Sequence, residues 1–218
     1  MIDKIFIDSG TTWTKILKIE NDKKKYSIVN TSDFKKQNLK YNKCTGHSLN
    51  KTKDIYENEV VALAYGAKSL LEDDFIVLDL GSRDIKYIQY KNKKFFDMDW
   101  NNSCASATGA TIEMLLKFYN VEIDKLSFTK EKYSITCGIF GLEKIMDDTA
   151  QGIEPSVAIS KFIHGIAFNA YNFAKRPKKI CISGGFCENK CFLNSLSYYC
   201  KVIPLGRFVL VDGLSLMD

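Results

Sequence analysis

Short apolar blocks, separated by glycine, hydroxyl and lysine-rich stretches, set the layout of this chain. Residues 4–8 alternate into a strand, Ser9-Gly10-Thr11-Thr12 makes a tight turn, and residues 13–19 read as a second strand. Residues 21–25 predict a hairpin turn and 26–29 a third strand. Residues 33–52 are polar and lysine-rich, with Cys44-Thr45-Gly46-His47 inside them. From 59 to 71 the period becomes helical, with Val60, Ala64, Ala67 and Leu71 on one side. Ala62, Ala64, Gly66 and Ala67 are small, so another element can pack closely against this helix.

The opening arrangement then returns. Residues 76–80 predict a strand with Asp79 near its end, Gly81-Ser82 forms a turn, 85–90 continue as a strand, and 93–98 form its hairpin partner. The chain thus carries two copies of apolar strand, Asp, Gly, hydroxyl, strand, over residues 5–15 and 76–86. One Asp-x-Gly turn is common in ordinary hairpins; two copies at comparable places are an internal repeat. Asn101 to Leu116 places Cys104 in a run of small residues where a helix begins, reaching about residue 119. Residues 134–140 form a short apolar run carrying Cys137 into a helical stretch, and 142–151 and 155–174 predict helices. Residues 179–183 are a strand ending in Gly184-Gly185, 189–199 a helix, and 202–205 and 208–211 finish the chain. Strand and helix alternate in this second half, which points to a mixed α/β fold.

Composition narrows the chemistry. The 218 residues are 45% hydrophobic, ample for a core of one large domain or two small ones. No apolar run reaches the length of a bilayer span and the first residues lack a signal-peptide layout, so a soluble, cytoplasmic protein without a membrane partner is expected. The formal charge of +5 is modest, and lysines cluster at 22–25, 35–43 and 91–94, placed as in solvated turns; no nucleic-acid face is expected. Seven cysteines, an odd number in a reducing compartment, argue against a disulfide framework. With only His47 and His164 available, a metal site would be thiolate-rich, favouring iron–sulfur or zinc.

Several side chains suit particular chemistry. Cys104 and Cys137 stand at helix starts, where unpaired N–H groups favour thiolate, the form that binds metal; buried idle thiols are the plain alternative. Gly10 lets backbone approach a ligand, and Ser9, Thr11 and Thr12 offer hydroxyls and amides to phosphate. Asp8 and Asp79 suit a hydrated magnesium ion or a turn cap, and the duplication favours magnesium. Lys15 reads either as a phosphate contact or as a strand-face residue, and Asp84 either orients water or pairs with Arg83. Gly184 and Gly185 allow a flat or anionic ligand near backbone. Cys187 and Cys191 share a helix spacing but no CxxC pair occurs, so packing is expected; Cys181 and His164 read as core residues, and Cys44 is open.

Asp8-Ser-Gly-Thr-Thr, Asp79-Leu-Gly-Ser-Arg-Asp and Ser183-Gly-Gly resemble the two phosphate motifs and the adenosine motif of the actin, sugar-kinase and Hsp70 ATPase superfamily. Within it the chain most resembles the activators of 2-hydroxyacyl-CoA dehydratases and their benzoyl-CoA reductase ATPase relatives. Asn101 with Cys104-Ala-Ser-Ala-Thr-Gly, Cys137-Gly-Ile-Phe, Ala150-Gln-Gly-Ile and Gly184-Gly-Phe-Cys-Glu-Asn carry that resemblance, in order, across residues 5–196. It departs at Arg83, where the family has Gln, at Ala107, where it has Gly, and at Gly141-Leu-Glu-Lys, Thr45-Gly-His-Ser-Leu and Asp212-Gly-Leu-Ser-Leu-Met.

The resemblance implies an actin-like (ribonuclease H-like) α/β ATPase of two lobes, residues 1–74 and 75–218, around a nucleotide cleft, with an exchange of the last elements between lobes. It implies MgATP or MgADP held by Asp8, Ser9, Gly10, Thr11, Thr12, Lys15, Asp79, Gly81 and Ser82, with Gly184 and Gly185 beside adenosine and Asp84 near the attacking water. It further implies a homodimer with one 4Fe–4S cluster shared by the two subunits through Cys104 and Cys137, a ferredoxin- or flavodoxin-like donor and a low-potential iron–sulfur client. A small-molecule kinase of the same superfamily, or a cluster-carrying subunit that does not hydrolyse ATP, are the alternatives.

Overall fold

Strands β1 (Lys4–Ser9), β2 (Trp13–Glu20) and β3 (Lys23–Asn30) form an antiparallel meander, followed by the short helix α1 (Thr31–Phe34). β4 (Lys43–Thr45) then lies parallel on the free side of β1, giving the sheet order β3-β2-β1-β4. α2 (Glu59–Leu70) leads into β5 (Phe75–Leu80), β6 (Ile85–Lys91) and β7 (Lys94–Asn101), a second antiparallel meander. After α3 (Gly109–Phe118), α4 (Gly138–Ala150) and α5 (Pro155–Phe173), β8 (Lys179–Gly184) lies parallel on the free side of β5. α6 (Lys190–Ser197), β9 (Lys201–Gly206) and α7 (Val209–Ser215) follow, and the second sheet has the order β7-β6-β5-β8-β9. This computed structural model describes residues 4–49, 54–101, 109–135 and 138–217.

The second meander is the first displaced by 71 positions. That separation relates Lys4 to Phe75, Asp8 to Asp79, Gly10 to Gly81, Lys15 to Lys86 and Asn30 to Asn101. It holds at the hairpin turns as well: Asn21 and Asp22 take φ of 49° and 61°, and Asn92 and Lys93 take 53° and 59°. Two consecutive positive φ values are the type I′ geometry that matches strand twist. The turn expected at 21–25 is therefore only two residues long, and Lys23 to Lys25 project from β3, an edge strand where lysines discourage further pairing. The strand expected at 93–98 likewise extends to Asn101.

Alternation along the strands gives each sheet two apolar faces. Phe6 and Leu17 face one way and Ile7 and Ile16 the other; Leu78, Leu80 and Tyr87 oppose Val77 and Ile88. The largest core packs α5, α3 and α6 on the second sheet. α2 and α7 lie between the sheets: Val60, Leu63, Val209 and Leu210 meet the second, while Ala62, Val211 and Leu214 meet the first. These two helices touch backbone to backbone, since a Cβ on Gly66 would fall 1.9 Å from the Val209 carbonyl oxygen and one on Gly213 1.8 Å from that of Ala62. The small residues of α2 serve this approach, and α7, the last element, packs against β1, β2 and β4. The stretch 208–211, whose pattern alone assigns no element, is the N-cap and first turn of α7.

Helices otherwise follow the apolar period, with α4 starting at Gly138 and α6 capped by Asn189, whose Oδ1 accepts from the Phe192 amide at 2.9 Å. None among the described residues is long and apolar enough to cross a membrane.

Candidate functional site

The two duplicated turns face each other across a cleft of about 230 Å³. Each turn closes the same way: the Gly10 amide donates to the Trp13 carbonyl at 3.1 Å, and the Gly81 amide to the Asp84 carbonyl at 3.0 Å. Asp8 ends β1 opposite Lys15, and Asp79 ends β5 opposite Lys86. Of the residues singled out in the sequence, Asp8, Gly10, Thr11, Lys15, Asp79, Gly81, Ser82, Asp84 and Gly185 line the cleft.

Ser9, Thr12 and Gly184 are not among the lining residues. The Ser9 hydroxyl is fully buried in a chain with Thr14 (2.8 Å) and Thr31 (3.0 Å further), and Thr31 Oγ1 donates to the Gly10 carbonyl. The Thr12 carbonyl accepts from the Thr31 amide at 2.9 Å. Both residues thus brace the turn from within. Gly184 has φ of 88°, and a Cβ there would fall 2.5 Å from the Leu80 carbonyl oxygen. Gly46 is its counterpart at the end of β4, with φ of 99° and 2.4 Å to the Ser9 carbonyl oxygen. Each parallel strand thus needs a glycine where it passes under a turn.

The charges of the site are buried and interlocked. Lys15 Nζ lies 2.8 Å from Asp8 Oδ2. Burial alone would lower its pKa, but Asp8 and Asp79 outweigh that and hold it above the ordinary range. Lys86 Nζ lies 2.7 Å from Glu59 Oε2 and 3.1 Å from Asp84 Oδ1. Burial again opposes its charge, and Glu59, Asp79 and Asp84 together raise its pKa. Glu59 and Asp79 are themselves raised, by burial first, against the pull of the lysines. One ammonium shared among three carboxylates satisfies itself more fully than it satisfies any of them. Asp79 Oδ1 also accepts from Ser183 Oγ at 2.7 Å.

Asp84 does not pair with Arg83. Its Oδ2 accepts from the Trp100 indole at 2.8 Å, while the Arg83 terminal nitrogens lie 3.0 and 3.2 Å from the ring nitrogens of His47, across the cleft mouth. Trp13, which opens β2, donates its indole N–H to Glu113 Oε1 of α3 at 2.9 Å. The amides of Gly109 and Ala110, at the start of α3, lie 3.3 and 3.2 Å from the carbonyl oxygens of Gly81 and Ser82. Both turns therefore hold the same helix. Sequence reading passed over Glu59, Lys86, Trp100 and Glu113. Lys86 had a signal, the seven-residue spacing from Asp79 that repeats Asp8 to Lys15; the others meet the site only through long-range folding.

Cys104 and Cys137, the expected iron ligands, lie outside the described residues. Burial pushes the thiols of Cys44, Cys187 and Cys200 up to about 11, and Cys191 Sγ donates to the Ser127 carbonyl. Cys181 is buried in β8. Among the described residues no group of three or more His, Cys, Asp or Glu side chains is arranged to hold a metal ion. His164 is buried, with Tyr199 Oη 2.8 Å from Nε2 and the Glu131 carbonyl 3.2 Å from Nδ1, and burial lowers its pKa.

No protein-family model matches the chain. Among curated proteins it is 22% identical over 197 residues to the (R)-2-hydroxyglutaryl-CoA dehydratase activating ATPase of Acidaminococcus fermentans, covering 83% of this chain and 76% of that protein. It is 24% identical over 172 residues to the activator of lactoyl-CoA dehydratase of Anaerotignum propionicum, covering 72% and 66%. Its fold superposes with a TM-score of 0.82 on the activator of the 2-hydroxyisocaproyl-CoA dehydratase from Clostridium difficile with bound ADPNP, at 16% identity over 99% of this chain and 93% of that one. The chain is a homologue of the 2-hydroxyacyl-CoA dehydratase activators. Its fold is that of the actin-like ATPases, and the duplicated meanders around a cleft are how this activator homologue builds it.

Proposed function

We propose that this activator homologue binds MgATP between lobes of residues 1–74 and 75–218, hydrolyses it, and passes one low-potential electron to a client iron–sulfur reductase or dehydratase. The electron comes from a reduced ferredoxin- or flavodoxin-like donor. Its carrier in this reading is a 4Fe–4S cluster held by Cys104 and Cys137 of two copies of the chain, a group that supplies a one-electron site of low potential.

The observation that carries the nucleotide half is the facing pair of Asp–Gly hairpins. Asp8 and Asp79 suit a magnesium ion that keeps most of its waters, and Lys15, Thr11 and Ser82 suit phosphate oxygens. Cβ atoms at Gly10 and Gly81 would stand 3.1 Å from the Trp13 carbonyl oxygen and 3.2 Å from Asp84 Oδ1, so a side chain at either position would crowd its turn. Asp84 orients the water that attacks the γ-phosphorus; the bond to ADP breaks, and ADP and phosphate leave. Loss of the γ-phosphate relaxes both turns, and α3 is bonded to both, through Trp13–Glu113 and the Gly109 and Ala110 amides. That supports α3, which follows Cys104 in the chain, as the element that senses the nucleotide.

The test is anaerobic purification with iron and sulfide counted in the wild type and in Cys104→Ala, beside magnesium-dependent ATP hydrolysis. Roughly four irons per two chains, absent from the variant, are expected. A wild type that stays iron-free and colourless after reconstitution overturns the electron-transfer reading, and phosphorylation of a small-molecule acceptor would then favour the kinase.

A further inference from the structure

Asp84 has both carboxylate oxygens engaged by side chains. Lys86 Nζ lies 3.1 Å from Oδ1, and Trp100 Nε1 donates to Oδ2 at 2.8 Å. Trp100 and Lys86 are register partners on β7 and β6, and the ammonium also stands 5.1 Å from the centre of the Trp100 ring. One indole thus sets two charged groups, with its N–H on the acid and its face under the base that holds the same acid. The Asp84 backbone carbonyl meanwhile closes the second turn by accepting from the Gly81 amide. With its backbone fixed in the turn and both carboxylate oxygens engaged, the Asp84 side chain turns only if Trp100 moves with it. The indole ring also packs against the core between α2 and the second sheet, whereas Met98 and Phe96, earlier on the same outer strand, are exposed.

We propose that Trp100 is a positioning residue for hydrolysis, which aims the Asp84 carboxylate into the cleft and moves with it when the nucleotide changes state. The inference rests on the nucleotide reading above. The chain has only two tryptophans, so Trp13→Phe leaves Trp100 as the single tryptophan, read by excitation at the red edge where the tyrosines do not absorb. In that background, Trp100 emission shifts saturably with MgATP and to a different level with MgADP. Trp100 is then replaced in the same background by benzothienylalanine, which keeps the shape of indole but carries sulfur in place of N–H. Loss of one charge-assisted hydrogen bond lowers kcat for ATP hydrolysis about tenfold relative to Trp13→Phe itself, while nucleotide affinity stays within about twofold of that variant. Trp100→Phe shows the same split of kcat from affinity.

Normal kcat in the analogue-bearing protein, together with emission indifferent to nucleotide, overturns the role of Trp100 and leaves the ATPase reading standing. A wild type that neither binds nor hydrolyses ATP overturns both. An equal loss of kcat and affinity assigns Trp100 to structure alone and also rejects the proposal.

Discussion

Lys86 Nζ lies 2.7 Å from Glu59 Oε2 in a pair whose side chains are 3% and 8% exposed, and it joins the start of α2 to the second sheet directly beneath the cleft. Buried pairs are costly to split, because removing one partner strands the other charge without water. Lys86→Met leaves Glu59, Asp79 and Asp84 facing one another and should destabilise the fold by about 3–5 kcal/mol. Glu59→Gln on top of it should recover part of that loss. A double-mutant cycle by urea denaturation checks both; additive losses would mean the two residues do not act as a pair.

The same lysine governs the alkaline limb of stability. Its folded pKa is raised above the ordinary 10.5, by Glu59, Asp79 and Asp84 against the opposing effect of burial, so its contribution is fully present below 10.5 and lost as pH rises through the folded value. Above 10.5 the folded state retains a proton that the unfolded chain gives up, which costs up to about 1.4 kcal/mol per pH unit. Lys86→Met should therefore be less stable near neutrality yet decline less steeply above that pH. Parallel slopes in the two proteins, measured by urea denaturation from pH 9 upward, would contradict the assignment.

Gly213 and Gly152 make a matched contrast. A methyl at Gly213 would stand 1.8 Å from the Ala62 carbonyl oxygen, so Gly213→Ala must push α7 off α2 and should cost about 3 kcal/mol or more. At Gly152 nothing lies within 4 Å and only the φ of 90° resists a side chain, so Gly152→Ala should cost about 1 kcal/mol. Thermal melts of the two variants check the order.

In the nucleotide reading proposed above, Asp8 bears on catalysis more than on folding. Asp8→Asn keeps the shape of the β1 end but removes the charge that Lys15 pairs with at 2.8 Å. Magnesium-dependent ATP hydrolysis should fall by roughly 100-fold or more if, as proposed above, the carboxylate serves both the ion and the lysine. Unchanged turnover with an unchanged magnesium requirement would remove Asp8 from the site.

The largest part of the site was legible because local sequence dictates it. Asp8-Ser9-Gly10 and Asp79-Leu80-Gly81 each follow an apolar strand, and backbone closure of those turns needs only residues within the turn. The roles inside the turn were less legible. Ser9 and Thr11 are both hydroxyl residues, yet Thr11 lines the cleft while Ser9 turns to Thr14 and Thr31, a choice made by β2 and by the chain after β3. Arg83 and Asp84 are neighbours of opposite charge, but successive side chains diverge: Arg83 reaches His47, just past β4 of the first sheet, and Asp84 takes the Trp100 indole.

By itself, the sequence determined that this protein is built from two alike strand–Asp–Gly–strand units followed by helices, and that their turns are suited to phosphate. The 3.6-residue and two-residue periods and the demands of glycine turns are local, so they can be read along the chain. Only the tertiary structure decided which charges share the cleft. Glu59, Lys86 and Trp100 come from a helix start and two strands, and they converge because α2 is pressed between both sheets at its Gly66 contact with α7. Burial then makes their mutual attraction strong enough to fix the site, a condition that exists only once the sheets have closed around them.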